Sequence, residues 1–542
     1  LGYTTCRFGC CFKISWLSLR GFYTFTPPQH FLSMGIIKRQ SLKSSIVNYA
    51  GVLLGVIFFN FIFPHLLSAE HLGMIRLLQS LMFILVALPT LGLGHMLLRF
   101  YSIWNAERRV EAFNGFAMLA IGIACVIFML LFLLFRQEII SFYREHSALF
   151  IPYYYLVIPM VVAQAYIQYI EIFSMVKLRV AFPSFIREIL IRIMLIVVVY
   201  FFADQIISED SFFYSIPLIY FFSAILILFY AVKIQHFRIK NPLHYFQNNK
   251  DLKHQLLYGG GMFLVIIFSN THNFIDGVLL SSYLGVGAFG IYGIPLVLGQ
   301  MIQVPYRAIS LISIPIIREA WIENDLDKIK RLNKSIGINL YLIGTFLFTL
   351  LIINSSGIFK LLPPQYEIAH SVLFIIGLGR LFDMAFGLNS EILNSSQYYK
   401  YYIYLNVLLV ALTIALNILL IPIYGMNGAA LAVSISLTIF NMCKTWIIYS
   451  KFGFHCFSKH YITLTILMLV VLGVLYFVPF IQFIPKHMFV NALVNIAFKS
   501  MLGSGLFLVP LFFLQVSPDF NDFVKLILNG KIFKGGHKMD EL

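Results

Sequence analysis

The sequence predicts an all-α, polytopic membrane protein of about 14 transmembrane helices, built as two related six-helix lobes plus an extra helix pair. The apolar composition, the alternation of basic loops and a weak internal repeat each point that way. Of 542 residues, 60% are hydrophobic and only 11% are charged, against roughly 25% charged in a soluble domain. Runs of roughly 20 apolar residues, enough to cross a bilayer, recur near 45–67, 77–98, 113–135, 148–173, 183–203, 211–232 and 255–281. They continue near 286–317, 335–356, 366–392, 402–422, 427–450, 461–481 and 488–515. The run 286–317 is long enough to be bent or broken.

The net charge of +16 would suggest a nucleic-acid partner in a soluble chain, but its distribution excludes that. Lys and Arg collect in every second loop: Arg99, Arg108 and Arg109; Lys177 and Arg179; Lys233 to Lys253; Arg318 to Lys334; Lys400; Lys444 to Lys459; Lys525 to Lys538. The intervening loops are expected to hold only Arg76, Arg136, Arg144, Lys360 and Lys486. By the positive-inside rule the basic loops and both termini are cytoplasmic. Cys6, Cys10, Cys11, Cys125, Cys443 and Cys456 form no metal-ligand spacing and no disulfide framework.

Residues 1–33 have no apolar period and lack the regions of a signal peptide. The compact basic lead from Met34 suggests a natural start there, with 1–33 non-native or disordered. Arg39 stands where a myristoylation site wants Ser or Thr. The final Met-Asp-Glu-Leu lacks the first residue of an ER-retention tail. On this reading 1–43 is a cytoplasmic segment, 44–235 the N-lobe, 254–453 the C-lobe, 454–516 helices 13 and 14, and 517–542 a cytoplasmic tail.

The repeat has a period of six spans. Tyr49-Ala-Gly51 and Tyr258-Gly-Gly260 open spans one and seven, and Leu72-Gly73 and Leu284-Gly285 follow them. Pro89 and Pro305 lie at similar depths in the next spans, and Glu171 and Glu391 close spans four and ten. Six spans between partners give both halves one orientation. In Ile421-Pro-Ile-Tyr-Gly-Met-Asn-Gly428, Pro422 stops one helix and Gly425 permits a tight reversal. Gly428, Ala432 and Ser436 then form a small-residue stripe for close helix packing.

The stretch Arg380-Leu-Phe-Asp383, Gly387-Leu-Asn-Ser-Glu391, Tyr399-Lys400, Asn417 and Pro422-x-Tyr-Gly425-x-x-Gly428-Ala-Ala-Leu-Ala432 resembles the polysaccharide-transporter family. So does the opening Ser44-Ser-Ile-x-Asn-Tyr-x-Gly51-x-x-Leu-Gly55, with Pro64 and Leu72-Gly73. That family of O-antigen-type, lipid-linked oligosaccharide flippases belongs to the multidrug/oligosaccharidyl-lipid/polysaccharide exporter superfamily. The resemblance covers most of 40–450. It implies two lobes around a central cavity and alternating access, and it carries over no substrate-binding residue.

Charged side chains within spans need a reason, because each costs about 2.5–3.5 kcal/mol at mid-bilayer on insertion scales. Arg187, Glu188 and Arg192 lie in span five, with Glu188 and Arg192 spaced for an i,i+4 pair. Arg380 and Asp383 could likewise neutralise each other in span ten. For both pairs a structural bridge and a ligand site stay open. Arg307 has no acid within a turn and sits in a glycine-rich span interrupted by Pro295 and Pro305, so it is the leading substrate candidate; a snorkelling side chain is the alternative. His272 and Asp276, spaced i,i+4, could share a proton or help hold a cation, with a plain helix contact as the alternative.

The function expected is translocation of an undecaprenyl-diphosphate-linked oligosaccharide across a bacterial inner membrane for surface polysaccharide such as lipopolysaccharide O-antigen. Arg307, Arg192, Arg380 and Arg187 are the candidate substrate residues, since arginine suits phosphate oxygens. His272, Asp276 and Asp383 are the candidates for coupling to H+ or Na+. Other expected partners are membrane lipids and polysaccharide polymerase or assembly proteins; no nucleic acid, metal or other cofactor is expected. A cation or drug antiporter of the same fold is the alternative, disfavoured because its cavity should be dominated by acids. A membrane polymerase or glycosyltransferase needs a larger extramembrane domain than these loops allow. The absence of a Walker motif argues against ATP hydrolysis. Neither an enzyme nor a catalytic residue is therefore expected.

Overall fold

Ser68 sets the start of the second transmembrane helix: its side chain accepts from the backbone N–H of His71, an N-cap that opens Ala69–Leu85. The computed structural model describes residue 43 and residues 46–247, 249, 251–479, 481 and 488–528. Residues 1–33, Met34, Arg39, Ser44, Asn248, Lys486, the first three cysteines and the Met-Asp-Glu-Leu end lie outside the described residues.

Among the described residues, 13 helices are long and apolar enough to cross a membrane, and there is no strand. In chain order the first lobe holds α1 (Ile46–Leu66), α2 (Ala69–Thr90, resuming as Leu93–Ala106), α3 (Val110–Leu134), α4 (Ala148–Val176), α5 (181–203) and α6 (Glu209–Ile234). The second holds α7 (Leu252–Leu284), α8 (Val286–Glu323), α9 (Leu326–Ile353), α10 (Pro364–Ala385, resuming as Asn389–Ser395), α11 (Tyr399–Tyr424) and α12 (Met426–Phe452). The extra pair is α13 (Lys459–Tyr476) and α14 (Met488–Leu514). α5 is helical throughout but is set apart from the 13 by Arg187, Glu188 and Arg192. α13 and α14 share an apolar cluster with α9 and α10, including Phe348, Leu381, Leu464 and Phe507.

The loops expected to be basic meet at one end of the bundle: Lys240 pairs with Glu111 at 2.6 Å, and Arg179 donates to the Ile234 carbonyl at 2.5 Å. The turns after α3, α7 and α11 meet at the opposite end. There Ser147 donates to the Ser281 carbonyl at 2.6 Å, and Leu284 packs beside Gly425.

α2 and α8 break at corresponding depths. Two residues after Pro89, Leu91 and Gly92 both adopt positive φ. Two residues before Pro305, a 3-10 turn over Met301–Gln303 ends. Each proline removes a backbone donor where the helix changes course. Gly92 also admits α7: a Cβ there would lie 2.3 Å from the Gly259 carbonyl oxygen.

At the turn end the lobes touch backbone to backbone. A Cβ on Gly73 of α2 would lie 1.7 Å from the Val286 oxygen, and one on Gly290 of α8 would lie 2.0 Å from the Ala69 oxygen. The 421–432 motif does what its residues suggest: Gly425 has φ +58°, and Gly428 passes so near Leu420 that a Cβ would be 2.0 Å from its oxygen. Ala432 and Ser436 on the same stripe are fully buried.

Two loop assignments need correction. Lys444 lies inside α12, buried, with its ammonium donating to the Ser390 hydroxyl at 2.6 Å. Arg76 is not in a loop but two turns into α2, and it is buried. The Ser68 cap starts the helix eight residues before the apolar run at 77, because tertiary packing overrides the polarity of Glu70, His71 and Arg76.

Candidate functional site

Between the lobes lies a cavity of about 680 Å³, walled by α1, α2, α4, α5 and α6 on one side and by α7 and α8 on the other. Its α5 wall is ionic. Arg187 bonds Glu171 of α4 at 3.0 Å and Glu188 at 2.8 Å, and Arg192 bonds Glu188 at 2.6 Å. A π-helical stretch, Ile186–Leu190, carries Arg187 and Glu188; the wider turn changes which side chains face inward. α1 fits over this wall through its small residues: a Cβ on Gly51 would meet Glu188 at 2.6 Å, and one on Gly55 would meet the Arg192 Nε at 3.0 Å. The Gly51-x3-Gly55 spacing of the opening motif therefore makes room for the charge network.

Opposite stands Arg307 of α8, exposed to the cavity and with no hydrogen bond or ion pair to another described residue. Between the walls the lining mixes neutral polar side chains, Gln79, Ser80, Gln164, Asn273 and Gln300, with apolar ones such as Phe83, Phe274, Leu296 and Val304. Arg76 and Asn60 line the cavity as well. A second cavity, about 340 Å³, shares Gln168, Glu171 and Arg187 with the first and adds Asn48 and His95.

The remaining sequence candidates lie elsewhere. Arg380 and Asp383 make no direct ion pair; Gln303 stands between them. Arg380 donates to the Gln303 Oε1 at 3.1 Å, and the Gln303 amide donates to Asp383, which also accepts from Asn441 at 2.6 Å. The spacing would allow a direct pair, but Gln303 of α8 stands between the two groups and bonds both. Nor do His272 and Asp276 bond each other: His272 contacts the Thr413 hydroxyl at 3.3 Å, and Asp276 accepts from Tyr292 at 2.9 Å. Thus Arg307, Arg187 and Arg192 are brought together around the cavity, while Arg380, His272, Asp276 and Asp383 are not among its lining residues. Among the described residues no cluster of His, Cys, Asp or Glu could hold a metal ion.

Sequence reasoning missed Glu171 as a partner of Arg187 and missed Arg76 as a cavity residue. An arginine followed three residues later by Gln79 and Ser80, all ahead of Pro89, was the available signal.

The fold is similar to that of solved transporters. "Lipid II flippase MurJ, inward closed conformation" matches with a TM-score of 0.65 at 16% identity, covering 88% of this chain and 99% of that one. An inward-facing multidrug resistance MATE family transporter of the MOP superfamily matches at 0.57 and 14% identity, covering 75% and 98%. A mutant of the Vibrio cholerae MATE transporter VcmN matches at 0.52 and 13% identity, covering 77% and 98%. At these identities the likeness concerns the fold. No curated protein matches the sequence. A family model described as polysaccharide biosynthesis protein matches residues 37–321, more than half of the chain, and the chain therefore belongs to the polysaccharide biosynthesis protein family.

Proposed function

We propose that the chain is a flippase for a lipid-linked oligosaccharide, with Arg307 receiving the diphosphate that joins glycan to lipid. Arg307 carries this reading: it is the cavity arginine with no partner among the described residues, opposite arginines already held by Glu171 and Glu188. A free guanidinium suits phosphate oxygens through charge-assisted, bidentate bonds. The same two pairs disfavour a cation exporter, because both cavity carboxylates are engaged. Undecaprenyl diphosphate is the proposed lipid, the bacterial inner membrane the proposed location, and the basic end of the bundle the cytoplasmic one. H+ or Na+ coupling and contact with polymerase or assembly proteins belong to the same proposal.

Arg307→Ala should stop glycan export in cells while the protein still inserts, and Arg307→Lys should retain part of it, since the charge survives without the fork. Normal surface glycan from a strain carrying only Arg307→Ala would defeat the reading. Orientation is tested separately. Cysteines replacing exposed Ser68 and Ser208 should react with an impermeant reagent from outside, and one replacing exposed Asn241 should not.

A further inference from the structure

The chain that joins the two lobes is fastened to the first. Lys240 donates its backbone N–H to the Glu111 carbonyl at 3.0 Å, and Asn114 donates to the Arg238 carbonyl at 3.2 Å. Gly115 of α3 lets this segment come close: a Cβ there would lie 2.0 Å from the Lys240 oxygen. Tyr245 is fully buried against Trp104, Phe113 and Phe116. Its hydroxyl donates to Gln255, in the first turn of α7, at 2.7 Å. The next turn of α7 rests on α2, with Arg99 4.4 Å over the Tyr258 ring and Phe100 edge to face with it at 5.7 Å. The connector and the first two turns of α7 are therefore built into the first lobe. Farther along, α7 belongs to the second: His272 reaches Thr413 of α11, Tyr292 of α8 donates to Asp276, and Gly277 packs on Phe289.

One continuous helix, Leu252–Leu284, thus serves both lobes. Between its two parts stand Gly259, Gly260 and Gly261. Gly259 has a packing reason, since a Cβ on it would lie 2.3 Å from the Met96 Sδ. Gly260 and Gly261 have none: a Cβ on either would meet nothing within 4 Å, and an open apolar groove with Leu256, Leu257 and Leu264 runs beside them. Gly51, the counterpart of Gly260 in α1, differs, because a Cβ there would meet Glu188 at 2.6 Å. Each interior glycine disfavours the helix about fivefold relative to alanine, so this point of α7 is weak without a gain in contact. It also lies level with the break in α2, where Gly92 at positive φ abuts the Gly259 carbonyl. We propose that residues 259–261 are the hinge between the lobes: the first two turns of α7 stay with the first lobe while the rest swings with the second. The bend breaks the bond from Asn270 to the Phe83 carbonyl, 2.7 Å in this structure. The hinge rests on the transporter reading above and is independent of which substrate is carried.

The test uses the full purified chain in detergent, with distances between nitroxide pairs carried on introduced p-acetylphenylalanine as the readout. One pair joins exposed Ser208 and Ile368 across the outer end, the other exposed Asn241 and Ile322 across the basic end. The wild type should show two distance populations, one of them that of this structure with α7 unbroken. Gly260→Ala with Gly261→Ala should deplete the other population about tenfold or more, because alanine favours the unbroken helix. Gly473→Ala with Gly505→Ala, at open glycines of α13 and α14, should leave both populations as they are. Both double variants should raise the unfolding temperature, so stiffening alone does not separate them. Unchanged populations in the α7 variant, or an equal change in the control, overturn the hinge. If the α7 pair does not fold, Gly260→Ala alone decides, with a depletion of about fivefold. A wild type with a single population at both ends defeats the hinge and the alternation of the lobes together. Normal export from Arg307→Ala would instead defeat the diphosphate reading and leave the hinge standing.

Discussion

Glu171 and Glu391 occupy matching places in the two halves, each near the basic end of a fourth helix, yet they live in different chemistry. Glu171 faces the cavity and meets Arg187 at 3.0 Å. Glu391 is buried and accepts from Tyr306 at 2.8 Å and from Ser310 at 2.5 Å, both on α8. The repeat thus preserves where a carboxylate sits but not what answers it. In the first lobe the answer is arginine, giving a charged wall. In the second it is neutral donors, and Asp383 follows the same pattern with Gln303 and Asn441. A chain whose halves share a backbone plan can therefore answer matching carboxylates with arginine in one half and with neutral donors in the other.

The sharpest way to break this contrast is Glu391→Ala. It strands two hydroxyls beside a new void and should cost about 3 kcal/mol by thermal or denaturant unfolding. Glu391→Gln still accepts from both hydroxyls and should cost under about 1 kcal/mol; equal losses in the two variants would mean that Glu391 needs its charge. Next comes Asp383→Ala, which deprives Gln303 and Asn441 of an acceptor and should cost about 2 kcal/mol. Because Gln303 intervenes, a double-mutant cycle of Arg380→Ala with Asp383→Ala should give a coupling below about 1 kcal/mol. Strong rescue would restore the direct pair that the sequence suggested. The smallest effect is expected for Glu171→Gln. Arg187 keeps Glu188 and its side chain is 42% exposed, so the loss should be about 1 kcal/mol or less, shrinking with added salt.

Much of the fold was legible because membrane insertion writes itself into local sequence. Span length, loop charge, and the prolines at 89 and 305 are short-range signals, and the breaks appear within two residues of those prolines. Periodicity likewise found the Glu188–Arg192 pair, which lies within one turn. What stayed hidden depends on partners far along the chain. Arg187 reaches Glu171 across sixteen residues, and Gln303 reaches Asp383 across eighty. Arg76 was obscured for another reason: a charge near a span boundary reads as loop when only hydropathy is consulted, and its burial comes from α8, more than two hundred residues away.

The glycine contact between α2 and α8 has a mechanical consequence. Where two rods cross with no side chain between them, the crossing works as a fulcrum, and the longer arm decides the stroke. From Gly290 to the break at Met301 the arm is about 16 Å at 1.5 Å per residue, so tilting that segment by roughly 15° would carry its far end, and the Arg307 segment beyond it, about 4 Å sideways. Arg76, beside the pivot, would scarcely move. The separation of the two arginines would then change with the tilt between α2 and α8.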